Sequence, residues 1–353
     1  MKITKTLLIF LSTLFGGTAL HAQDLHNTLF YMNPLHMNPA FTGAFEGTYR
    51  IGGIYRDQSR SVVKRAYSTP AIFIDAPILM IAKRHWIGVG GLMFQDQSGS
   101  GKLTTQGIQI SGSFHLALDK KSQNVLTLGV TYGSITRRLK DGKAGLRFGD
   151  EALEHITNET SYDQTISLDD DKFKLNDDQS KASFKDINAG LLFKSQMSKT
   201  TDFNIGFSTR HITTPGSDYN LSGTQTPDLS MRFIAHAQLN TALNDKWSLT
   251  PEVYYSNISP ASQFQAHTWA GYMLKPEKRI KLSAGLGYRF GDSGQVLLGL
   301  DYGDVKAAFA YDITLSSLSE ANSRQGGFEI AVYYIGKIFK KPNVKPTILC
   351  PHL

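Results

Sequence analysis

Between about residues 48 and 339 the apolar residues fall on every second position, in roughly fourteen successive segments. In 280–290, Ile280, Leu282, Ala284, Leu286, Tyr288 and Phe290 oppose Lys281, Ser283, Gly285, Gly287 and Arg289. In 296–303, Val296, Leu298, Leu300 and Tyr302 oppose Gly299, Asp301 and Gly303. In 306–315, Ala307, Phe309, Tyr311, Ile313 and Leu315 stand against Lys306, Asp312 and Thr314. Finally, Phe328, Ile330, Val332 and Tyr334 oppose Glu329, Ala331 and Tyr333. A period of two with one charged face predicts strands.

The connections alternate as well. Short polar turns are expected at 119–123, 198–202, 244–246, 276–278 and 304–305, and longer loops at 140–181, 213–228, 257–264 and 316–325. Tight turns on one side and long loops on the other are the pattern of an up-and-down barrel across a bacterial outer membrane. A soluble sandwich also alternates, but three features favour the barrel. The segments reach the length of about 10 residues needed to cross a bilayer at a tilt. Tyr49, Tyr55, Trp86, Phe94, Trp247, Tyr255, Tyr288 and Phe290 cluster near segment ends, as interfacial girdles require. The face opposite the apolar one carries Gly, Ser, Arg and Glu, which suits a polar interior better than a dry core. The predicted fold is therefore all-β: a transmembrane antiparallel β-barrel of about 14 strands over residues 48–339.

Residues 1–22 read as a signal peptide, with Lys2 and Lys5 before an uncharged apolar stretch and Ala22 before a cut at Gln23. Their removal takes away two lysines and lowers the formal net charge from +7 to +5. That excess is mild and no basic run with interleaved aromatics occurs, so nucleic acid is not an expected partner. After the signal no apolar run is long enough for a spanning helix, and the best rival, 71–82, is broken by Asp75 and Pro77. The single cysteine, Cys350, excludes an internal disulfide framework.

Enzymatic chemistry finds little footing. His115, His211, His236 and His267 fall in strands with no serine tied to them by a recognisable motif. Asp218 and His211 have no supporting spacing either. No phosphate-binding glycine loop occurs, so no cofactor is expected. Loop 140–181 carries eleven acids against five Lys or Arg before Lys181, yet matches no defined calcium loop. It reads as a solvated loop, with no metal assigned.

Residues 23–47 differ from the rest. Asn33-Pro34 and Asn38-Pro39-Ala40-Phe41-Thr42-Gly43 place two turn-forming Asn-Pro pairs close together, because proline fixes its own φ and keeps the residue before it out of the helical region. An ordered segment at the periplasmic mouth of the barrel, or a plug inside it, is expected. Arg50, Arg56, Glu252, Arg289, Asp301, Asp312 and Glu329 lie on the less apolar strand faces. They either line a pore or pair across the lumen, and pairing is the favoured reading because buried charges need partners. Arg56 or Arg289 is expected to bond the turn carbonyls of the plug. Residues 340–353 form a tail on the periplasmic side.

These N-terminal residues resemble the signature of the PorP/SprF family of type IX secretion and gliding-motility proteins. Tyr55-Arg56-Asp57-Gln58 is similar to the family's first-strand Tyr-Arg-x-Gln pattern, with Ser59 where Trp is usual. Ile74-Asp75-Ala76-Pro77-Ile78, then Gly88-Val89-Gly90-Gly91 with Asp96 and Gly99, and the Cys350-Pro351 ending are similar to further family marks in order. The resemblance implies an outer-membrane barrel of the Bacteroidota, related in shape to fatty-acid-transporter barrels. It implies a non-enzymatic partner of type IX secretion that helps export or anchors a cognate surface protein through that protein's C-terminal domain, in contact with outer-membrane lipid and other machinery components. A transporter for hydrophobic small molecules is the alternative, argued from barrel size and disfavoured by the charged, Gly-rich inner face.

Overall fold

The computed structural model describes residues 26–58, 67–82, 84–98, 103–139, 181–214, 230–259, 261–317 and 319–338. Its first strands are β1 (Tyr49–Gln58), β2 (Tyr67–Ile81), β3 (His85–Ser98), β4 (Leu103–Ala117) and β5 (Asn124–Leu139). Next come β6 (Lys181–Gln196), β7 (Thr201–Arg210), β8 (Arg232–Ala242), β9 (Trp247–Ile258) and β10 (Ala261–Lys275). The last are β11 (Ile280–Arg289), β12 (Ser293–Tyr302), β13 (Val305–Thr314) and β14 (Gln325–Gly336). Each strand pairs antiparallel with its sequence neighbours, and β1 closes the barrel on β14 from Tyr49↔Gly336 to Gln58↔Gly327. Closure gives every strand of the ring a partner on both sides, as a lipid-facing sheet requires.

The distribution of polarity is inverted relative to a water-soluble protein. On β12, Val296, Leu298 and Leu300 point outward and Leu298 is 52% exposed, while Ser293 and Gln295 point inward and are buried. Ile72 and Ile74 on β2 and Ile108 and Ile110 on β4 likewise cover the outside. Water would penalise that arrangement; hydrocarbon favours it. Among the described residues no helix is long and apolar enough to cross a membrane.

The tight turns gather at one end with the start of β1 and the end of β14. In 118–123 the Asp119 carboxylate accepts the amides of Lys121, Gln123 and Asn124, and these bonds, Asn124 first, hold it below the usual carboxylate range. The other end is less uniform than the sequence predicts. The loop expected at 257–264 shrinks to residues 259–260, because β9 runs to Ile258 and β10 resumes at Ala261. The β11–β12 connection on that end is also tight, with Gly291 at φ +74°. The loop between β13 and β14 holds a single helical turn, Ser319–Asn322. Residues 140–180 and 215–229 lie outside the described residues. Two aromatics assigned to the girdles face inward instead. Phe94 is buried in the lumen, and Trp86 donates to a lumenal carbonyl.

Candidate functional site

The lumen is filled by residues 27–44, which form three short helical turns in series: Phe30–Met32, Pro34–Met37 and Pro39–Phe41. The Asn-Pro pairs account for this path. Each proline opens a turn, where its missing N–H costs nothing. The Asn38 side chain accepts from the Ala40 amide at 2.9 Å and caps the last turn. Gly43, at φ +67°, then reverses the chain toward β1.

The segment begins at the loop end. There the Glu329 carboxylate accepts two successive plug amides, Thr28 N–H at 2.6 Å and Leu29 N–H at 2.7 Å. The Thr28 hydroxyl donates to Asp312 at 2.8 Å and accepts from Arg289 Nη2 at 2.7 Å. Arg56 binds Glu329 at 2.6 Å, reaches Asp312 at 3.4 Å and donates to the His26 carbonyl at 3.0 Å. Arg289 pairs with Asp312 at 3.1 Å, and Gln265 Nε2 donates to the Thr28 carbonyl at 3.0 Å. Two cations and two anions thus neutralise one another around one threonine. Bonds to charged groups of this kind are among the stronger ones proteins make.

A second set of contacts holds the other end of the segment, nearer the short turns. Arg50 grips Asp75 with Nε at 3.0 Å and Nη2 at 2.8 Å, and donates to the Phe41 carbonyl at 3.1 Å. Asp75 Oδ2 accepts the Gly43 amide at 2.7 Å, and Trp86 Nε1 donates to the Gly43 carbonyl at 2.9 Å. The Thr42 carbonyl receives Ser113 Oγ at 2.5 Å and His115 Nε2 at 2.8 Å. Lys194 Nζ donates to the Ala44 carbonyl at 3.1 Å.

Between these ends the plug lies directly on backbone. A Cβ on Gly190 would run into Asn38 Oδ1, and one on Gly129 into the Pro39–Ala40 peptide. With Gly88 under Thr42 and Gly206 beside Asn38, four glycines on β3, β5, β6 and β7 form a seat with no room for side chains. Two apolar clusters seal the sides. Leu29 and Leu35 pack with Ile54, Phe73, Leu92, Phe94 and Leu297. Phe30, Met37, Ala40 and Phe41 pack with Leu192, Ile234 and Tyr254. Each large apolar side chain so covered contributes about 1.5–3 kcal/mol relative to exposure.

The expected residues separate accordingly. Asn33, Pro34, Asn38, Pro39, Ala40 and Gly43 all belong to the plug, and Asn33 and Asn38 are fully buried. Arg50, Arg56, Arg289 and Glu329 hold it. Arg56 bonds the His26 carbonyl ahead of the turns, Arg289 bonds a hydroxyl and Arg50 takes the Phe41 carbonyl of the last turn. Glu252 stays within the wall, accepting from Gln238 at 2.7 Å and Trp269 at 3.2 Å. Asp301 pairs with Lys281 at 3.1 Å near the short turns, away from the plug. Of the first-strand motif, Tyr55 faces outward against Phe328, and Gln58 ends β1 opposite Tyr67 and Gly327. Asp75, Asn38's histidine partner His236 (3.1 Å) and the glycine seat were not anticipated as plug contacts. The first and last described residues, His26 and Ile338, lie at opposite ends of the barrel.

Three histidines bond the plug or the barrel wall. His115 and Ser113 share the Thr42 carbonyl, His236 bonds Asn38 and Tyr31, and His211 Nδ1 meets Asp186 at 2.8 Å. Among the described residues no group of three or more His, Cys, Asp or Glu is placed to hold a metal ion.

Barrels of similar shape are known. The Pseudomonas putida toluene transporter TodX superposes with a TM-score of 0.51 at 11% identity, covering 89% of this chain and 94% of its own. A TodX deltaS2 mutant, a monoaromatic hydrocarbon channel, gives 0.54 at 11% identity over 86% and 94%. The CymD monoaromatic hydrocarbon channel gives 0.50 at 11% identity over 87% and 93%. At such identity the likeness is one of fold. No curated protein matches the sequence. Residues 19–334 match the family described as type IX secretion system membrane protein PorP/SprF, and the chain, an outer-membrane barrel, belongs to that family.

Proposed function

We propose that this barrel is a non-enzymatic docking platform of the type IX system, which helps export or anchors a cognate secreted protein by engaging that protein's C-terminal domain. The observation that carries the reading is the plug. A lumen filled over residues 27–44 and fixed at both ends by buried charges suits a barrel that works through its surfaces better than one that works through an axial passage. In the usual orientation of such barrels the tight turns face the periplasm and the longer loops face outward. Loops 140–181 and 213–228 are then the partner-binding face, and the basic turns at Lys120, Lys121, Lys246, Lys275 and Lys278 meet machinery components on the inner side.

The test is a mild-detergent purification from native outer membranes with mass-spectrometric identification of bound proteins. A large secreted protein carrying a C-terminal secretion domain is the expected companion, lost when loop 140–180 is shortened. Recovery of the barrel with no secreted protein would sink the reading. Carriage of hydrophobic small molecules, which rests on barrel shape alone, predicts flux of such a compound into liposomes containing the purified protein.

A further inference from the structure

At the short-turn end the described sheet carries an unpaired edge on β2. On its β1 side, β2 pairs from Tyr67 to Asp75, where Arg50 is the last partner, yet β2 continues to Ile81. Residues 76–81 pair only with β3, down to Ile81↔His85, and form no hydrogen bond on the β1 side with any described residue. This stretch projects past the start of β1 at the short-turn end. It is also where alternation fails: Ile78, Leu79, Met80 and Ile81 are consecutive, apolar and 59, 54, 68 and 39% exposed. A bulge between Pro77 and Leu79 accompanies the change. A bare edge with apolar side chains on both faces is a template for an added strand, and four such residues in a row are otherwise a fault. Backbone groups left unpaired at membrane depth would be costlier still.

We propose that residues 339–353 of this same chain add a short strand to that edge, with 347–350 lying alongside 76–81. Three observations identify the occupant. First, the chain leaves the barrel at the right place. β14 ends at Gly336 against Tyr49, the first residue of β1, and the Ile338 amide donates to Thr48 Oγ1 at 2.9 Å. The edge of β2 is then two strand spacings away, roughly 10 Å. Second, residues 339–346 span up to about 26 Å when extended, more than the gap requires. Third, Thr347-Ile348-Leu349-Cys350 is a β-prone apolar stretch bracketed by Pro346 and Pro351. Proline confines it to a short strand paired on one side, which is all that a peripheral edge needs. The same contact gives the isolated Cys350 a neighbour.

The sole cysteine supplies the test, because one added cysteine reports its position. In the full-length protein in outer membranes, I78C, L79C, M80C and I81C are each oxidised mildly, alongside L118C and L243C on other short turns. Disulfides need Cα atoms about 4.4–6.8 Å apart, the distance between ladder neighbours. Added as a strand, the tail links within one molecule at alternate edge positions, with loss of the Cys350 thiol there and not at the two controls. Equal linking at all six sites would mean a loose tether and overturn the proposal; so would links between two copies, or none. All six sites are exposed, so the barrel itself tolerates the changes. Amide exchange gives a second reading. Residues 78–81 should be protected in the full chain and lose that protection when it stops after Ile338. Protection that survives truncation would assign the edge to another partner.

Discussion

Arg50 and Asp75 form a two-pronged ion pair, and each also holds one end of the plug's last turn: Arg50 the Phe41 carbonyl, Asp75 the Gly43 amide. The pair joins β1 and β2 at the register where their pairing stops. One contact therefore fixes the plug, the start of the barrel and the base of the bare edge.

Asp75→Ala should release this end of the plug. Removing one partner of a buried pair costs about 3–5 kcal/mol, because the other charge is left uncompensated. The expected readout is frequent channel opening in planar bilayers, with heat-modifiable migration of the barrel unchanged. The double variant with Arg50→Ala should lose less than the two single variants added together. Full additivity would mean that the two residues act separately.

The glycine seat makes a second, steric prediction. Gly190→Ala should lift Asn38 from the wall, since the new methyl group meets its Oδ1. Protease sensitivity within residues 26–47 should rise. Adding Asn38→Ala removes the obstructing atom, at the expense of a cap contributing about 0.5–2 kcal/mol. The double variant should then be less sensitive than Gly190→Ala alone. If the second change makes matters worse, the contact is not what positions the plug.

Which parts were legible in the sequence follows from the range of each interaction. Alternation is local, so the strands and the inward charges Arg50, Arg56, Arg289 and Glu329 could be read from spacing. Asp75 interrupts an apolar run, and in one dimension it reads as an obstacle to a membrane helix and one residue of a family mark, not as a plug contact. Its role depends on β1 bringing Arg50 beside it. Gly129 and Gly190 look like ordinary strand glycines until Pro39 and Asn38 cross over them, a contact between distant parts of the chain. The loop expected at 257–264 is shorter in the structure: Asn257 and Pro260 are turn-formers, yet the β9–β10 ladder runs through to Ile258↔Ala261.

Glu329 sets the strength of the plug's other end. Its carboxylate accepts Thr28 N–H, Leu29 N–H and Arg56 together. In Glu329→Gln one oxygen becomes a donor facing donors, and hydrogen bonds to a charged group contribute about 1.5–3 kcal/mol each. Residues 26–30 should become accessible to exchange while 38–43, held by Asp75 and His115, stay protected. Opening along the whole segment would show that the two ends are one cooperative unit.

Deleting residues 26–45 separates the two functional readings. Without the plug, Arg56, Arg289, Asp312 and Glu329 keep one another as partners, now in a water-filled lumen, so the barrel should still fold. Conductance should rise sharply, because the two apolar clusters lose the side chains that closed the bore. A platform acting through its outer loops should still co-purify its secreted partner, since no plug residue belongs to those loops. A transporter should instead lose selective uptake while gaining a leak. If the partner is lost and conductance stays flat, the plug is part of the docking surface and the loops alone do not carry recognition.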